Sequence, residues 1–362
     1  MRFQTSALCA IVAAGLLAGC SGSGPSMNPA ATGSGTPQTR QTRVHIAPQW
    51  SANASVLPAE LRPLGRLPLH GQPNPTFSPV PGGIYVSEFY STDIYAYQRG
   101  NTGNNPPTCT IGNVLFPNDI ASDTRGDVID PDGGSKTIQI FKGSGKCGSL
   151  IGTINDPYGQ PVDASSQNAQ NKTIAVANIF STFQGGGTIS LCTMKQGCTS
   201  NLTNPNMYEV IGVAMSRQGD CWATSYDHGG TAHLTYFQGC SGSGQSATGW
   251  ANGYPGGLDI DKAGNIVSLD PYNSQVYVYS GCNPACSIVG GPFPLQGQAV
   301  YGHLNRQNMA LATADFQYGQ VDVYRYHTWQ KLQNIKYLYS FNNGLNANDE
   351  VLGAAFAPRS DQ

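Results

Sequence analysis

The feature that most constrains this chain is an internal repeat. Four segments register without gaps: IYVSEFYSTDIYAY (84–97), VIDPDGGSKTIQIF (128–141), IVSLDPYNSQVYVY (266–279) and LATADFQYGQVDVY (311–324). Two more copies, from Ile174 and from Trp222, carry small insertions in the turn. The six units begin at Ile84, Val128, Ile174, Trp222, Ile266 and Leu311, at spacings of 44 to 48 residues. Each reads as an apolar strand, a polar turn, an alternating aromatic strand such as Tyr277-Val278-Tyr279, a Gly- or Cys-bearing turn and a weaker third strand. A short strand also precedes each following unit, as in NDIASDTRGD before Val128, GVAMSRQGD before Cys221 and GLDIDKAGN before Ile266. A single such unit cannot bury its own faces, so units of this kind stack on one another. Four strands at this period predict an all-β fold, a six-bladed β-propeller with four-stranded blades.

The segment LGAAFAPRSD (352–361) copies the short preceding strand but has no unit after it. It is expected to supply the inner strand that the first blade lacks, so that the chain's two ends close the ring and no sheet edge is left between first and last blades. Composition agrees with many short strands and against a helical fold: 45 Gly, 24 Pro and 18 Tyr accompany only 11% charged residues. A net charge of −2 without any Lys/Arg run gives no field to attract a phosphate backbone, which argues against nucleic acid as a partner.

Ahead of the repeats, MRFQTSALCAIVAAGLLAGC carries Arg2 as a positive n-region and an apolar stretch, Ala7 to Ala18, too short to span a bilayer. Residues 1–19 are therefore expected to be a signal peptide. Leu17, Ala18 and Gly19 before Cys20 resemble the bacterial lipobox, which implies that Cys20 becomes an acylated N-terminus held to a membrane. Ser21 in place of Asp implies, by the same resemblance, the outer membrane or the cell surface. Residues 20–45 read as a flexible Ser/Gly/Pro linker. Residues 46–83, with Trp50, Leu57, Leu61, Leu64, Leu67 and Phe77 among prolines, read as an irregular strap, and 84–362 as the propeller.

Within the repeats, GLDIDKAGNIVSLD (257–270) resembles NHL and YVTN-type propeller repeats, a likeness that covers residues 84 to 361. It is specific for architecture and says little about activity, because this fold hosts hydrolases, lyases and pure scaffolds. A more distant resemblance to gluconolactonase-like propellers implies an axial divalent metal, Ca or Zn, held by a Glu, two Asn and an Asp from different blades. The positions expected nearest the axis are Asn118-Asp119, Gly159-Gln160, Ile211-Gly212, Gly256-Gly257, Gly297-Gln298 and Gly353, of which only Asn118, Asp119, Gln160 and Gln298 are good oxygen donors. That set departs from the implied one, so no metal or other cofactor is assigned, and the glycines are read as letting six strands crowd together.

Eight cysteines remain after Cys9 and Cys20, an even number that in an exported chain favours disulfides. Cys221 and Cys240 should face each other across two strands of the fourth blade, while Cys192/Cys198 and Cys282/Cys286 each bracket a tight turn. Cys109 and Cys147 either bridge two neighbouring blades or both stay free.

The gapless register puts Glu88, Asp132, Asp270 and Asp315 at one repeat position, with Asn178 and Asp227 close to it in the inserted copies. Converging oxygens of this kind suit a hard cation; the same residues equally accept N–H bonds within turns. Periodicity favours the turn role, since a site needs different residues on different blades. Tyr90, Tyr226, Tyr272 and Tyr318 recur beside these positions and would give one face of the disc an amphipathic surface for protein or carbohydrate. The histidines, His45, His70, His228, His233, His303 and His327, are read as surface-loop imidazoles, and no nucleophile elbow, HExxH or phosphate loop is present.

The expectation is a monomeric, membrane-anchored scaffold of the cell envelope that binds through this turn face and has no catalytic residues; a metal-dependent lactonase or lyase is the alternative. An enzyme should show unlike polar groups, from Asn118, Asp119, Gln160, Gln298 and His303, converging on an axial pocket. A scaffold should show repeated turn residues around a narrow or plugged channel.

Overall fold

The computed structural model describes residues 83–97, 105–143, 148–181, 185–326, 335–346 and 350–358, all within one compact unit, Thr42–Gln362. Cys20, Cys147, the signal segment, the linker, the strap up to residue 82, and His45, His70 and His327 lie outside the described residues, and Gly83, expected in the strap, opens the first strand. Among those described, the strands form six four-stranded antiparallel sheets, and the one helical element is a single 3-10 turn, Gln238–Cys240. The protein is a six-bladed β-propeller.

Five blades run through the chain in order, from inner strand to outer strand. Their inner strands are Ala121–Ser122 in blade two, Gly159–Ser165 in blade three, Glu209–Met215 in blade four, Leu258–Ile260 in blade five and Ala299–Leu304 in blade six. Blade one instead takes its inner strand from the far end of the chain: Val351–Ala357 pairs antiparallel with Gly83–Glu88, with Ile84 opposite Phe356 and Val86 opposite Ala354. The closing seam is apolar. Ile84, Val86, Ala354 and Phe356 of blade one share a buried cluster with Ala310, Ala312, Val321 and Val323 of blade six.

The gradient of burial explains why the second strand of each blade gave the clearest sequence signal. Val128–Asp132, Cys221–Tyr226 and Ile266–Asp270 are buried at every residue, sandwiched between neighbouring blades. Third strands alternate, as in Gln275–Ser280, where Val276 and Val278 are buried and Tyr277 is half-buried. Outer strands such as Leu150–Asn155 are largely exposed and carry correspondingly weak patterns.

Toward the axis, backbone meets backbone. The N–H of Gly257 donates to Val300 O (2.7 Å) and that of Asp119 to Val162 O (3.1 Å), each tying one inner segment to the next blade. A Cβ on Gly353 would lie 2.4 Å from both Ile120 N and Ser87 Oγ, and one on Gly212 would lie 2.7 Å from Gly256 O, so these positions admit only glycine at this spacing.

Three disulfides, Cys192–Cys198, Cys221–Cys240 and Cys282–Cys286, form at the expected positions. Cys109 is also disulfide-bonded.

Candidate functional site

Two constellations stand out: a ring of turns on one face, and a polar cluster at the axis.

Glu88, Asp132, Asp270 and Asp315 are fully buried at the ends of their second strands, and Asn178 is fully buried inside its own, Ile174–Ser181. Backbone N–H groups engage the four acids. Asp132 accepts the N–H of Ser135 in its own turn (2.8 Å) and of Leu115 in the segment arriving from blade one (2.9 Å). Asp270 accepts from Asn273 (3.2 Å) and from Gly253 in the segment arriving from blade four (2.5 Å). Asp315 accepts from Gln317 (3.0 Å) and Tyr318 (3.3 Å), and Glu88 accepts the N–H of Asn346. The repeated acid thus latches a turn, and in three blades it also holds the connection that crosses from the blade before. Asn178 works differently, donating through Nδ2 to Ser190 Oγ (2.7 Å) and Asp156 Oδ2 (3.2 Å).

Asp227 is the half-buried variant of the theme. It accepts from Gly229 and Thr231 (both 2.8 Å) and pairs with His233 Nε2 at 2.9 Å. Partial burial works against its charge, but these hydrogen bonds win and hold the carboxyl below its usual range.

The tyrosines divide. Tyr90 and Tyr272 are 49% and 62% exposed and Tyr318 is half-buried, whereas Tyr226 is buried edge-on against Tyr254 with ring centroids 5.2 Å apart. The exposed apolar area of this face therefore centres on blades one and five, with Leu115 (46% exposed) beside the Asp132 latch.

At the axis, His303 corrects the surface-loop reading of the histidines: it lies on the inner strand of blade six and is buried. Its Nε2 stands 2.8 Å from Asp119 Oδ2, contributed by the segment just before the inner strand of blade two, and its Nδ1 stands 3.6 Å from Asp259 Oδ2 in blade five. Asp163, from the inner strand of blade three, completes the group: one ligand atom each from Asp119, Asp163 and His303 lie within 4.8 Å of one another. Burial opposes charge on the imidazole, but Asp119 and Asp259 outweigh it and push His303 up to about 10. Desolvation, with Asp119 adding repulsion, drives the Asp163 carboxyl well above the usual carboxylate range.

Of the donors expected at the axis, the structure brings together Asp119 and His303. Asn118 and Gln160 lie beside each other next to Gly133, and Gln298 is half-buried, its carbonyl accepting the N–H of Phe316. The donor set of one Glu, two Asn and one Asp implied by the gluconolactonase resemblance does not fit: the convergent groups are three aspartates and a histidine. Asp163 and Asp259 were missed in the sequence. Asp163 sits where two register shifts interrupt the pairing of blade three, hiding its repeat position, and Asp259 reads as one of two alternating acids in LDID.

Hydrogen bonds from the same group bind the blades. Asp163 Oδ2 accepts the N–H of Val213 in blade four (2.7 Å), and Asp259 Oδ2 that of Leu304 in blade six (2.8 Å). Nearby, Tyr301 reaches from blade six to Ile211 O of blade four (3.0 Å). Phe89, Val162, Ile211, Val300, Tyr301 and Leu352 belong to one buried cluster drawing on blades one, three, four and six, so the centre of the ring is packed.

No protein-family profile matches the chain, and no curated protein matches it. Among solved structures, it is similar to a chain in the crystal structure of a nidogen/laminin complex, with a TM-score of 0.55 at 13% identity, covering 77% of this chain and 99% of that one. It is similar as well to a protein of unknown function from Bacteroides caccae, with a TM-score of 0.54 at 11% identity, covering 78% of this chain and all (100%) of that one. At these identities the likeness establishes the fold alone.

Proposed function

We propose that this is a lipid-anchored envelope protein whose propeller is a non-enzymatic binding scaffold, making its contacts through the turn face that carries Tyr90, Tyr272 and Tyr318. The observation that carries this reading is the pairing of exposed rings with locked turns. Tyr90 and Tyr272 project from the turns that Glu88 and Asp270 fasten to the preceding connections. Rigid aromatic side chains lose little conformational entropy on binding and offer both an apolar face and a hydroxyl, which suits protein or carbohydrate. The acids of that face serve as its scaffolding, and the tyrosines as its contact surface. The similarity to a chain from a nidogen/laminin complex, a protein–protein assembly, is in keeping with a protein partner.

Anchoring rests on the lipobox-like residues before Cys20 and on the Ser/Gly/Pro stretch behind it, which would let the disc stand off a membrane surface. The lactonase or lyase alternative draws on the convergence of Asp119, Asp163 and His303, but those side chains are at most 7% exposed and are built into blade-to-blade contacts.

The test is a binding assay with envelope protein extract and a carbohydrate array, using wild type and a Tyr90→Ala/Tyr272→Ala double variant. The double variant should keep the wild-type unfolding midpoint and lose at least tenfold in affinity for whatever the wild type retains. Equal binding by both proteins would sink the assignment of this face. Mass spectrometry of the N-terminal peptide tests the anchor separately: it should carry lipid, and a Cys20→Ser chain should carry none.

A further inference from the structure

A carboxylate taken out of water must be neutralised by a proton, a cation or a full set of hydrogen bonds, because its desolvation costs several kcal/mol or more. The axis does not meet that requirement with protein groups. Asp119, Asp130 and Asp163 are all at 0% exposure, and Asp119 Oδ1, Asp163 Oδ1 and both oxygens of Asp130 have no hydrogen-bond partner among the described residues. Asn118 Oδ1 and both polar atoms of the Gln160 side chain, from the same blades, are unpartnered as well. Against these carboxyl groups and Asp259, His303 is the one basic side chain in an ion pair with the cluster among the described residues. Two of these orphaned oxygens belong to Asp119 and Asp163, which with His303 bring ligand atoms within 4.8 Å of one another.

The imidazole is set up as a ligand. Its Nε2 points toward Asp119, and its Nδ1 faces Asp259 Oδ2 at 3.6 Å. Metal-binding histidines commonly use one ring nitrogen for the ion while the other N–H is held by a carboxylate that fixes the tautomer and the ring plane. The other trio within ligand distance, Asp156 with Cys192 and Cys198, lacks this capacity because its sulfurs are joined in a disulfide.

We propose that Asp119, Asp163 and His303 form a buried axial site for one divalent cation of the zinc class, with Asp259 as the positioning residue for the imidazole. One nitrogen and two carboxylates suit zinc or cobalt; calcium prefers six to eight oxygens and magnesium an octahedral, largely hydrated shell. The role is mechanical. The ligands come from blades two, three and six, and His303 and Asp119 are 184 residues apart, so the ion would brace opposite sides of the ring from within. The inference is independent of the binding-face proposal, because the turn tyrosines and this cluster share no residue.

The experiment uses the full chain in detergent, exchanged against excess zinc, freed of loose metal by gel filtration and assayed by elemental analysis. One equivalent per chain is expected. Removing it with a chelator should lower Tm, and zinc or cobalt at about a hundredfold over Kd should restore it by roughly 5 °C or more. Calcium or magnesium should not. Cobalt loading should give visible absorption that is lost in His303→Gln. Both His303→Gln and Asp163→Asn should retain less than about a tenth of an equivalent, and Asp259→Asn should weaken affinity about 10- to 100-fold. His233→Gln, in the half-buried pair with Asp227 away from this cluster, should keep the full equivalent. If His303→Gln fails to fold, titration of chelated wild type decides alone. A chain that binds none of zinc, cobalt, nickel or manganese, with Tm indifferent to them, overturns the site and leaves a proton shared between Asp119 and Asp163 as the neutralising species. Stabilisation by calcium alone, or full metal retention by His303→Gln, overturns it as well.

Discussion

Asp322 shows how a single buried group couples this fold to pH. It lies on the third strand of blade six, where Gln320 Nε2 (2.8 Å), Ser340 Oγ and Tyr324 OH (3.3 Å) donate to it. Desolvation dominates over those donors and pushes its carboxyl from 3.8 to about 6, while the adjacent Asp315 is driven well above the usual range by burial and then by the charge of Asp322. Through Asp322 the folded state therefore binds a proton more tightly than the unfolded chain between about pH 4 and 6, so the contribution of this carboxyl to stability falls as pH rises through that window. In Asp322→Asn the term should vanish. Urea unfolding of both proteins from pH 4 to 7 should show wild type losing roughly 2 kcal/mol relative to the variant. Parallel curves would show that the carboxyl is not strained.

At the scale of elements, each of the three disulfides between described cysteines staples one hairpin or turn inside a single blade. The closed loops differ in length: 19 residues for Cys221–Cys240, 6 for Cys192–Cys198 and 4 for Cys282–Cys286. In the chain-entropy account, the longest loop restrains the unfolded state most, by about 3 kcal/mol against about 2 for a loop of a few residues. A Cys221→Ser/Cys240→Ser chain should accordingly unfold at lower denaturant than a Cys282→Ser/Cys286→Ser chain, with unchanged m-value. The reverse order would mean that native packing around Cys282, whose carbonyl accepts the Trp222 Nε1 hydrogen bond, matters more than loop entropy. The strands that carry Cys192 and Cys221 were legible in the sequence because burial imposes apolar runs, and the pairings followed from strand adjacency and turn spacing. The outer strands were faint for the opposite reason: Leu150–Asn155 and Ser287–Pro294 face solvent and carry little hydrophobic pattern.

At the scale of the molecule, the decisive act is closure. Val351–Ala357 is buried along its whole length and joins blade one to the core shared with blade six. A chain ending at Asn346 would lose this strand, expose the edge of Gly83–Glu88 and open the apolar seam. It should aggregate or unfold well below the wild-type temperature, and addition of a peptide spanning 350–358 should recover soluble protein in part. Thermal scans and light scattering decide the matter; a truncated chain as soluble and heat-stable as the parent contradicts a ring held by its ends.

The sequence by itself determined the number of blades, their order, the closing strand, three disulfide pairings and the identity of the repeated turn acids. Each follows from a local pattern or from a period, and a period survives in one dimension. What only the tertiary structure decided is what happens at the axis. His303, Asp119, Asp163 and Asp259 come from four blades and do not fall at one repeat position, so no spacing in the chain marks the four as neighbours. They meet because inner strands close enough to forbid a Cβ at Gly353 or Gly212 leave a centre where side chains from opposite sides touch. Burial likewise separated the exposed Tyr90 and Tyr272 from the sequestered Tyr226, a distinction set by the neighbour each ring finds rather than by its place in the repeat.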